Sequence, residues 1–530
     1  FDGKPYTYHH SVSPQCYPST HNFTFLWGDG VFLHLAEWDE LPDNDFDVIF
    51  YANERNGLDD EHYDRYCVER LRDKYKKESL KDFLKSFLKL NHEDVFQVEV
   101  MKNFSFFSTH KNHRNQILKS FDNLEYSEAF ESSKEAQEWL EKNSRRFGQL
   151  INGQFVSNKD SDLIASLDPS NGELLANIEI ANSQQLDSAV SYARKAQPAW
   201  ENLGGHKRAK VLYALARLIQ KHSRLISVLE SLDNGKPIRE SRDIDIPLAI
   251  RHFYYHAGWA QLQEKEFSSY KAIGVVGQIV PWNFPLLMLS WKIAPALAMG
   301  NTIIFKAAEQ TPLTAMFFAQ LCEEAGLPSG VINMINGDGV IGAELAAHKG
   351  VDKVAFTGST AVGRSIREST AGQGKKLTLE LGGKSAFIVF EDADLDAAVE
   401  GLVDSIWFNQ GEVCCAGSRL LVQAEVADEL HQKIKQRIKT LRLGLSLDKS
   451  TDIGSLVSKT QFQRVSEMVG EGLNHGGELF QACDLNSERN YYPPTLITEV
   501  DSSHPLVQEE IFGPVLVSMT FRTQSEAIEL

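Results

Sequence analysis

The sequence predicts an α/β fold built around a parallel sheet. Three observations point to it. Short apolar segments recur at 273–280, 302–306, 331–335, 353–357, 377–380 and 386–390. Helix-length segments separate most of them, and parallel strands need such crossovers. Four of the strand ends carry polar or glycine-rich text, which is where open parallel sheets bind ligands.

Composition permits this fold and narrows the function. The chain has 530 residues, 42% of them hydrophobic and 24% charged, ordinary for a globular protein of roughly two to four domains. A net charge of −18 with no basic stripe argues against a nucleic-acid partner, which needs clustered Lys and Arg. The longest apolar passage, 272–291, is long enough to span a membrane. It carries Gln278, Asn283, Pro281 and Pro285, with Gly274 and Gly277 in its first half. A buried strand, a loop and a helix fit it better, so no membrane span is expected. The first residue is Phe1, not Met, which leaves room for a removed targeting segment.

The cysteines are few: Cys16, Cys67, Cys322, Cys414, Cys415 and Cys483. So few in so long a chain are no disulfide framework, and a reducing, cytoplasmic location is expected. No CxxC or HExxH occurs, so no metal site is expected. The sequons at Asn22 and Asn103 are of a length that arises often by chance.

In chain order, residues 1–115 form an unassigned N-terminal segment, rich in Phe, Tyr, His and Asp. A helix is expected within 64–90, where Leu71, Leu80, Phe83, Leu84, Phe87 and Leu88 make an apolar stripe. The His9-His10 pair lacks convincing metal spacing. A helix follows over 127–143, then a strand pair over 150–156 turning at Asn152-Gly153. Amphipathic helices are expected over 186–200 and 208–220. In the sheet region one helix opens at Thr311-Pro312, a capping residue before proline. It stops near Gly326-Leu327-Pro328. A further helix spans 394–406.

The strand ends carry the candidate chemistry. They are Pro281-Trp282-Asn283-Phe284-Pro285, then Lys306 with Glu309, then Thr357 to Gly363, and Glu380-Leu381-Gly382-Gly383-Lys384. Singly each has a plain structural reading: a strand-to-helix turn, a surface lysine, a strand-end charge. The glycines match neither the GxGxxG fingerprint nor a P-loop, yet a helix N-terminus near Ser359 would attract a pyrophosphate. Together at one edge of a sheet they gain weight. The stretch FNQGEVCCAGSR, 408–419, places two adjacent cysteines after a tight turn. A nucleophilic cysteine needs an acid–base partner and an oxyanion donor, and Glu380 precedes it by one strand and one helix.

The motifs TLELGGKS, FNQGEVCCAGSR, PWNFP, IIFKAAEQTP, FTGSTAVG and EEIFGPV resemble those of the NAD(P)-dependent aldehyde dehydrogenases, over about 116–530. The passages IQKHSRLISVLESLDNGKPIRES, QACDLNSERNYYPPTLI and FRTQSEAIEL look closest to the family 16 branch. The resemblance implies a Rossmann-like NAD-binding domain over 116–382 and a second α/β catalytic domain over 383–530, incomplete at its C-terminal end. It implies Cys414 as nucleophile beside a non-catalytic Cys415. Glu380 becomes the general base. Asn283 becomes the oxyanion donor, with the backbone N–H of Cys414. Lys306 and Glu309 would meet the adenosine ribose, where a carboxylate favours NAD over NADP. Gly358 and Ser359 would approach the pyrophosphate. Glu510 and Phe512 would hold the nicotinamide ribose, with Trp282 and Lys384 near the cofactor. The substrate would be a small-molecule aldehyde, oxidised to a carboxylic acid through a thiohemiacetal and a thioester.

The chain departs from the family pattern in several places. Glu412-Val413 precedes the cysteine, and a carboxylate there would raise the thiol pKa. The oligomerisation hairpin expected near 259–272 is shortened. The text ends at Leu530, soon after EEIFGPV. A homodimer would be weakened accordingly. The alternative to an enzyme is a binding scaffold of the same fold.

Overall fold

A computed structural model describes residues 23–27, 31–36, 47–51, 129–483, 485 and 488–530. The chain divides into two units, 1–126 and 127–530. In the first unit, strands Phe23–Trp27, Val31–Ala36 and Asp47–Tyr51 form an antiparallel meander, with Phe23 opposite Leu35 and Phe32 opposite Tyr51. The helix expected within 64–90, the His9-His10 pair and the sequon acceptors Asn22 and Asn103 lie outside the described residues.

The second unit holds two larger sheets and a small one. The first has seven strands in the order Lys376–Glu380, Lys353–Thr357, Val275–Ile279, Thr302–Lys306, Ile332–Met334, Gln149–Ile151, Gln154–Val156. The five from 376–380 to 332–334 pair in parallel. The last two join antiparallel through a turn in which Asn152 (φ 54°) and Gly153 (φ 76°) both take the left-handed conformation that a two-residue hairpin requires. From Val275–Ile279 the chain proceeds to one side through 302–306, then returns to the other through 353–357. The order therefore reverses at the strand that ends in Pro281-Trp282-Asn283, the place where such sheets hold ligands.

Side-chain alternation fills both faces. Ile303 and Phe305 enter a core with the helices Gly205–Lys221, Ser223–Asn234, Ile246–Glu266, Pro285–Ala298 and Leu313–Glu324. Ile304 enters the opposite core with Ser183–Asn202, Gly339–Ala347 and Thr360–Thr370. The Ser183–Asn202 helix is fixed at its start by a reciprocal capping box between Asn182 and Gln185.

The second sheet runs Ala386–Val389, Arg419–Gln423, Val515–Phe521, Thr495–Thr498, Glu478–Gln481. Its Leu420 and Val422 face the helices Leu395–Leu402 and Ala424–Ile438, while Leu421 and Val517 face Lys459–Leu473. The 386–390 strand pairs into this second sheet. Two sequence expectations shift here. The helix begun at Asp394 is α-helical only to Leu402 and widens into a π-turn over Val403–Trp407. Residues 259–266 finish the Ile246–Glu266 helix, and 267–274 are loop, so no hairpin forms near 259–272. HAGWAQLQEKE holds strong helix formers and no turn dipeptide before Ser268, which extends the helix instead. Among the described residues no helix is long and apolar enough to cross a membrane.

Candidate active site

The cysteine turn is built from strained backbone. After the π-turn, Asn409 (φ 48°), Gln410 (φ 55°) and Gly411 (φ 72°) take left-handed conformations in succession. Two non-glycine residues there cost on the order of 1–3 kcal/mol each, so the surroundings must hold them. Glu240 accepts the Asn409 backbone N–H at 2.9 Å, and Trp407 Nε1 donates to the Pro514 carbonyl at 3.1 Å. Gly411 has no room for a Cβ, which would overlap the Gly513 carbonyl. The chain emerges at Cys414, half-buried, and Cys415, exposed. The other described cysteines lie elsewhere: Cys322 in the core of the first sheet, Cys483 on an exposed turn.

Burial pushes the Cys414 thiol above its usual range, helped by Cys415 and by the charge of Glu510, while its own backbone N–H pulls the other way. Glu412, expected to add to this, does not. Glu412 is fully buried, its carboxyl accepts the Val457 N–H at 3.1 Å, and burial holds it protonated well above the usual carboxylate range. A neutral acid turned into the core does not repel a thiolate.

Asn283 reaches this turn from the first sheet. It is 2% exposed, and its Nδ2 donates to the Glu412 carbonyl at 2.8 Å, across 129 positions of sequence. Its own carbonyl accepts Lys236 Nζ and Asn409 Nδ2, each at 2.9 Å. The Trp282 carbonyl accepts Asn234 Nδ2 at 3.0 Å and Thr311 Oγ1 at 3.3 Å, and its ring meets Phe512 edge to face at 5.3 Å.

The remaining strand-end residues gather around the same sheet edge. Lys306 Nζ lies 3.3 Å from Glu309 Oε2, and burial lowers its pKa against the pull of that carboxylate. Gly358 donates its N–H to the Glu380 carbonyl at 3.0 Å. Ser359 caps the Thr360–Thr370 helix, accepting the Val362 N–H at 3.4 Å, and is itself exposed. Glu510 Oε1 accepts the Gly383 N–H at 3.1 Å, and burial raises its pKa. Gly383 lies against the Cys414 carbonyl, where a Cβ would come within 2.9 Å. Phe512 has φ 59°, and its carbonyl accepts Gln461 Nε2 at 2.7 Å. Lys384 keeps a buried ammonium, pushed down to about 8 by burial and by Arg419.

The structure does not bring Glu380 into a hydrogen bond with Cys414. Its side chain is exposed at the strand end, and its charge acts on Lys292, whose ammonium donates to Thr357 Oγ1 at 2.7 Å and is lowered to about 8 chiefly by burial. Sequence reasoning missed Lys292, Lys236 and Asn409. Asn409 had a signal: an Asn directly before Gln-Gly in a turn tolerates the left-handed region. The two lysines had none, since a lysine in a helix or loop reads as solvated.

A turn-borne thiol beside a strand-end ligand edge is the equipment of a nucleophilic, nucleotide-using enzyme. Comparison with known proteins makes the class specific. The aldehyde dehydrogenase family model matches residues 155–530. An aldehyde dehydrogenase of Alternaria alternata is 42% identical over 397 residues, covering 72% of this chain and 80% of that protein. Aldehyde dehydrogenase family 2 member B4, mitochondrial, of Arabidopsis thaliana is 42% identical over 395 residues, covering 72% and 73%. The solved NAD⁺ complex of the aldehyde dehydrogenase from Bacillus cereus superposes with a TM-score of 0.72 at 37% identity, covering 76% of this chain and 84% of that one. The chain belongs to the aldehyde dehydrogenase family. A second model, the DbpA RNA binding domain, matches residues 71–129, nearly all outside the described residues.

Proposed function

We propose that the chain oxidises a small-molecule aldehyde to a carboxylic acid, with Cys414 as nucleophile, Asn283 as oxyanion donor and Glu380 as general base. The observation that carries this reading is the bond from Asn283 Nδ2 to the carbonyl of Glu412. It ties the oxyanion donor to the turn that carries the thiol. One Nδ2 hydrogen is used there, and the second is free for the oxyanion beside the Cys414 N–H. Such a donor is worth about 2.7–4 kcal/mol in the transition state.

The residues present fit a dinucleotide. Lys306 and Glu309 stand at one strand end, and the exposed N-terminus of an eleven-residue helix stands two strands away. Glu510 lies where Gly382 leaves space that a Cβ would fill. Lys306 and Glu309 would hold the adenosine ribose, and the Glu309 carboxylate would repel a 2′-phosphate, which favours NAD over NADP. Gly358 and Ser359 would meet the pyrophosphate. Glu510, Phe512 and Trp282 would hold the nicotinamide end, with Lys384 adjusting the charge of Glu510. When bound, NAD supplies the acceptor for the hydride released during oxidation.

The chain's own residues do the rest. Cys414 must lose its proton against the effect of burial, so its attack on the carbonyl carbon needs a base. Asn283 Nδ2 and the Cys414 N–H steady the oxyanion of the thiohemiacetal and again that of thioester hydrolysis. Glu380, exposed at its strand end, takes the proton of the hydrolytic water. The resemblance to the family 16 branch, the division at 382/383 and a cytoplasmic location are parts of the same reading. The two large sheets support the division, since one ends at Glu380 and the other begins at Ala386. Self-association is expected to be weak, because 259–272 offers no hairpin for pairing.

The test is direct. The 530-residue chain is mixed with NAD and a panel of aldehydes, and NADH is followed by absorbance. Production above that of Cys414→Ala supports the reading; equal traces for every aldehyde would leave only a binding scaffold.

A further inference from the structure

Beneath the site lies a buried polar cluster that the reaction above does not use. Lys236 is 0% exposed, and its Nζ donates to Asp245 Oδ2 at 2.6 Å and to the Asn283 carbonyl at 2.9 Å. It also sits 4.2 Å from the centre of the Phe284 ring. Asn409 Nδ2 donates to the same Asn283 carbonyl at 2.9 Å and, at 3.3 Å, to the carbonyl of Glu412. That Glu412 carbonyl is the one that receives Asn283 Nδ2. The bonds close a ring: Asn283 backbone, Asn409 amide, Glu412 backbone, Asn283 amide. Asn409 is itself fixed by its backbone N–H to Glu240 Oε2 at 2.9 Å.

We propose that Lys236 and Asn409 are positioning residues for the oxyanion step. Together they occupy both lone pairs of the Asn283 carbonyl, and Asn409 locks that residue in register with the cysteine turn. The inference rests on the function proposed above for Asn283 and Cys414.

The physical argument is one of alternatives. Burying an ammonium is expensive unless it is paired and hydrogen-bonded. Asp245 alone would satisfy the charge. The second bond, to a backbone carbonyl of the loop that carries Asn283, does something the ion pair does not: it fixes where that loop stands. Asn283 follows directly on the strand Val275–Ile279 and its Val280-Pro281-Trp282 extension, and precedes the proline-started helix Pro285–Ala298. Its backbone carbonyl is outside both ladders, and the two donors replace what a ladder would have supplied. The buried Asn283 Oδ1 has no partner, so its amide orientation hangs on the Nδ2 bond to Glu412. A shift of that carbonyl re-aims the free amide hydrogen, and a displacement of about 1 Å in a reacting group can cost on the order of 100-fold in rate.

The test separates positioning from folding. In Lys236→Met/Asp245→Asn no buried charge is stranded. In Asn409→Gly the left-handed conformation stays tolerable, no charge is introduced, and the donor is lost. Cys414 alkylation by iodoacetamide forms no oxyanion, whereas acylation by p-nitrophenyl acetate does. Both variants should slow ester acylation and aldehyde turnover about 10- to 100-fold, with alkylation within about twofold of wild type. Combined with Asn283→Ala, neither should add a further loss. Hydrogen exchange in the 281–286 and 408–414 peptides should rise in both variants. Equal slowing of alkylation and acylation, full additivity with Asn283→Ala, or unchanged exchange in both peptides would each overturn the proposal. The exchange measurement is read whether or not the wild-type chain makes NADH, so loss of the functional reading is seen separately.

Discussion

Gly382 and Glu510 touch across the seam between the two large sheets: the Gly382 Cα faces the Glu510 carboxylate so closely that any Cβ would overlap Oε2, while the adjacent Gly383 N–H holds Oε1 at 3.1 Å. The room a Cβ would take there is filled by a side chain from 128 positions later (510 − 382). Gly382→Ala should push Glu510 off the Gly383 N–H. A hydrogen bond to a charged group contributes about 1.5–3 kcal/mol, so KM for NAD should rise about 10- to 100-fold. Steady-state NADH production across NAD concentrations checks this, and an unchanged KM would mean that Glu510 does not contact the cofactor.

Cys414 should be a slow thiol at neutral pH. Its folded pKa is raised above the ordinary 9.0, with burial the first cause. The thiolate fraction, and with it the iodoacetamide rate, should climb about tenfold per pH unit and keep climbing past pH 9. A plateau below pH 8 would show a depressed pKa instead.

Glu309 should set the nucleotide preference. Its side chain is 38% exposed and 3.3 Å from Lys306, so a 2′-phosphate brought to Lys306 would meet it. Glu309→Gln should raise kcat/KM for NADP relative to NAD by about tenfold, since removing one close like charge is worth about a pKa-unit equivalent of energy. An unaltered ratio would place the ribose elsewhere.

Stability should fall as pH rises through neutrality. Burial raises Asp233 to about 8 and Glu240 to about 8, from ordinary values of 3.8 and 4.5. The unfolded chain sheds these protons at lower pH than the folded one. Between those limits the folded state binds more protons, so its stability declines with pH until both forms are ionised above about 8. Asp233→Asn keeps both partners, since Leu313 N–H and Ser166 Oγ can meet the amide. Its melting temperature should fall less steeply than wild type between about pH 5 and pH 8. Parallel curves would show that Asp233 stays charged.

Much of the architecture was legible because it is written locally. Thr302–Lys306 and Lys353–Thr357 are short apolar runs with clear boundaries, and Asn152-Gly153 forces its hairpin. What escaped was set by distant partners. The 386–389 strand has the same local signature as the others: the motif resemblance, not its own pattern, put it beyond 382, and pairing with Arg419–Gln423 sets it in the second sheet. The proposed catalytic trio was readable as a motif set, and Asn283 does meet the cysteine turn. The exposed placement of Glu380 beside Lys292 was not readable, since a strand-end carboxylate carries no mark of its direction. Glu412 misled for a related reason: a carboxylate next to a thiol in sequence turns its charge into the core, where burial neutralises it.

Gly411 has a consequence for how this enzyme can change. Its missing Cβ lets the cysteine turn lie against the Gly513 carbonyl, three residues past Glu510 and one past Phe512. The mount of the proposed nucleophile and the proposed ribose clasp thus share one wall. Selection or engineering aimed at a new cofactor will drag the sulfur with it. Productive variants should come as paired changes in 409–413 and 510–514, and libraries that diversify only one of those stretches should mostly return losses.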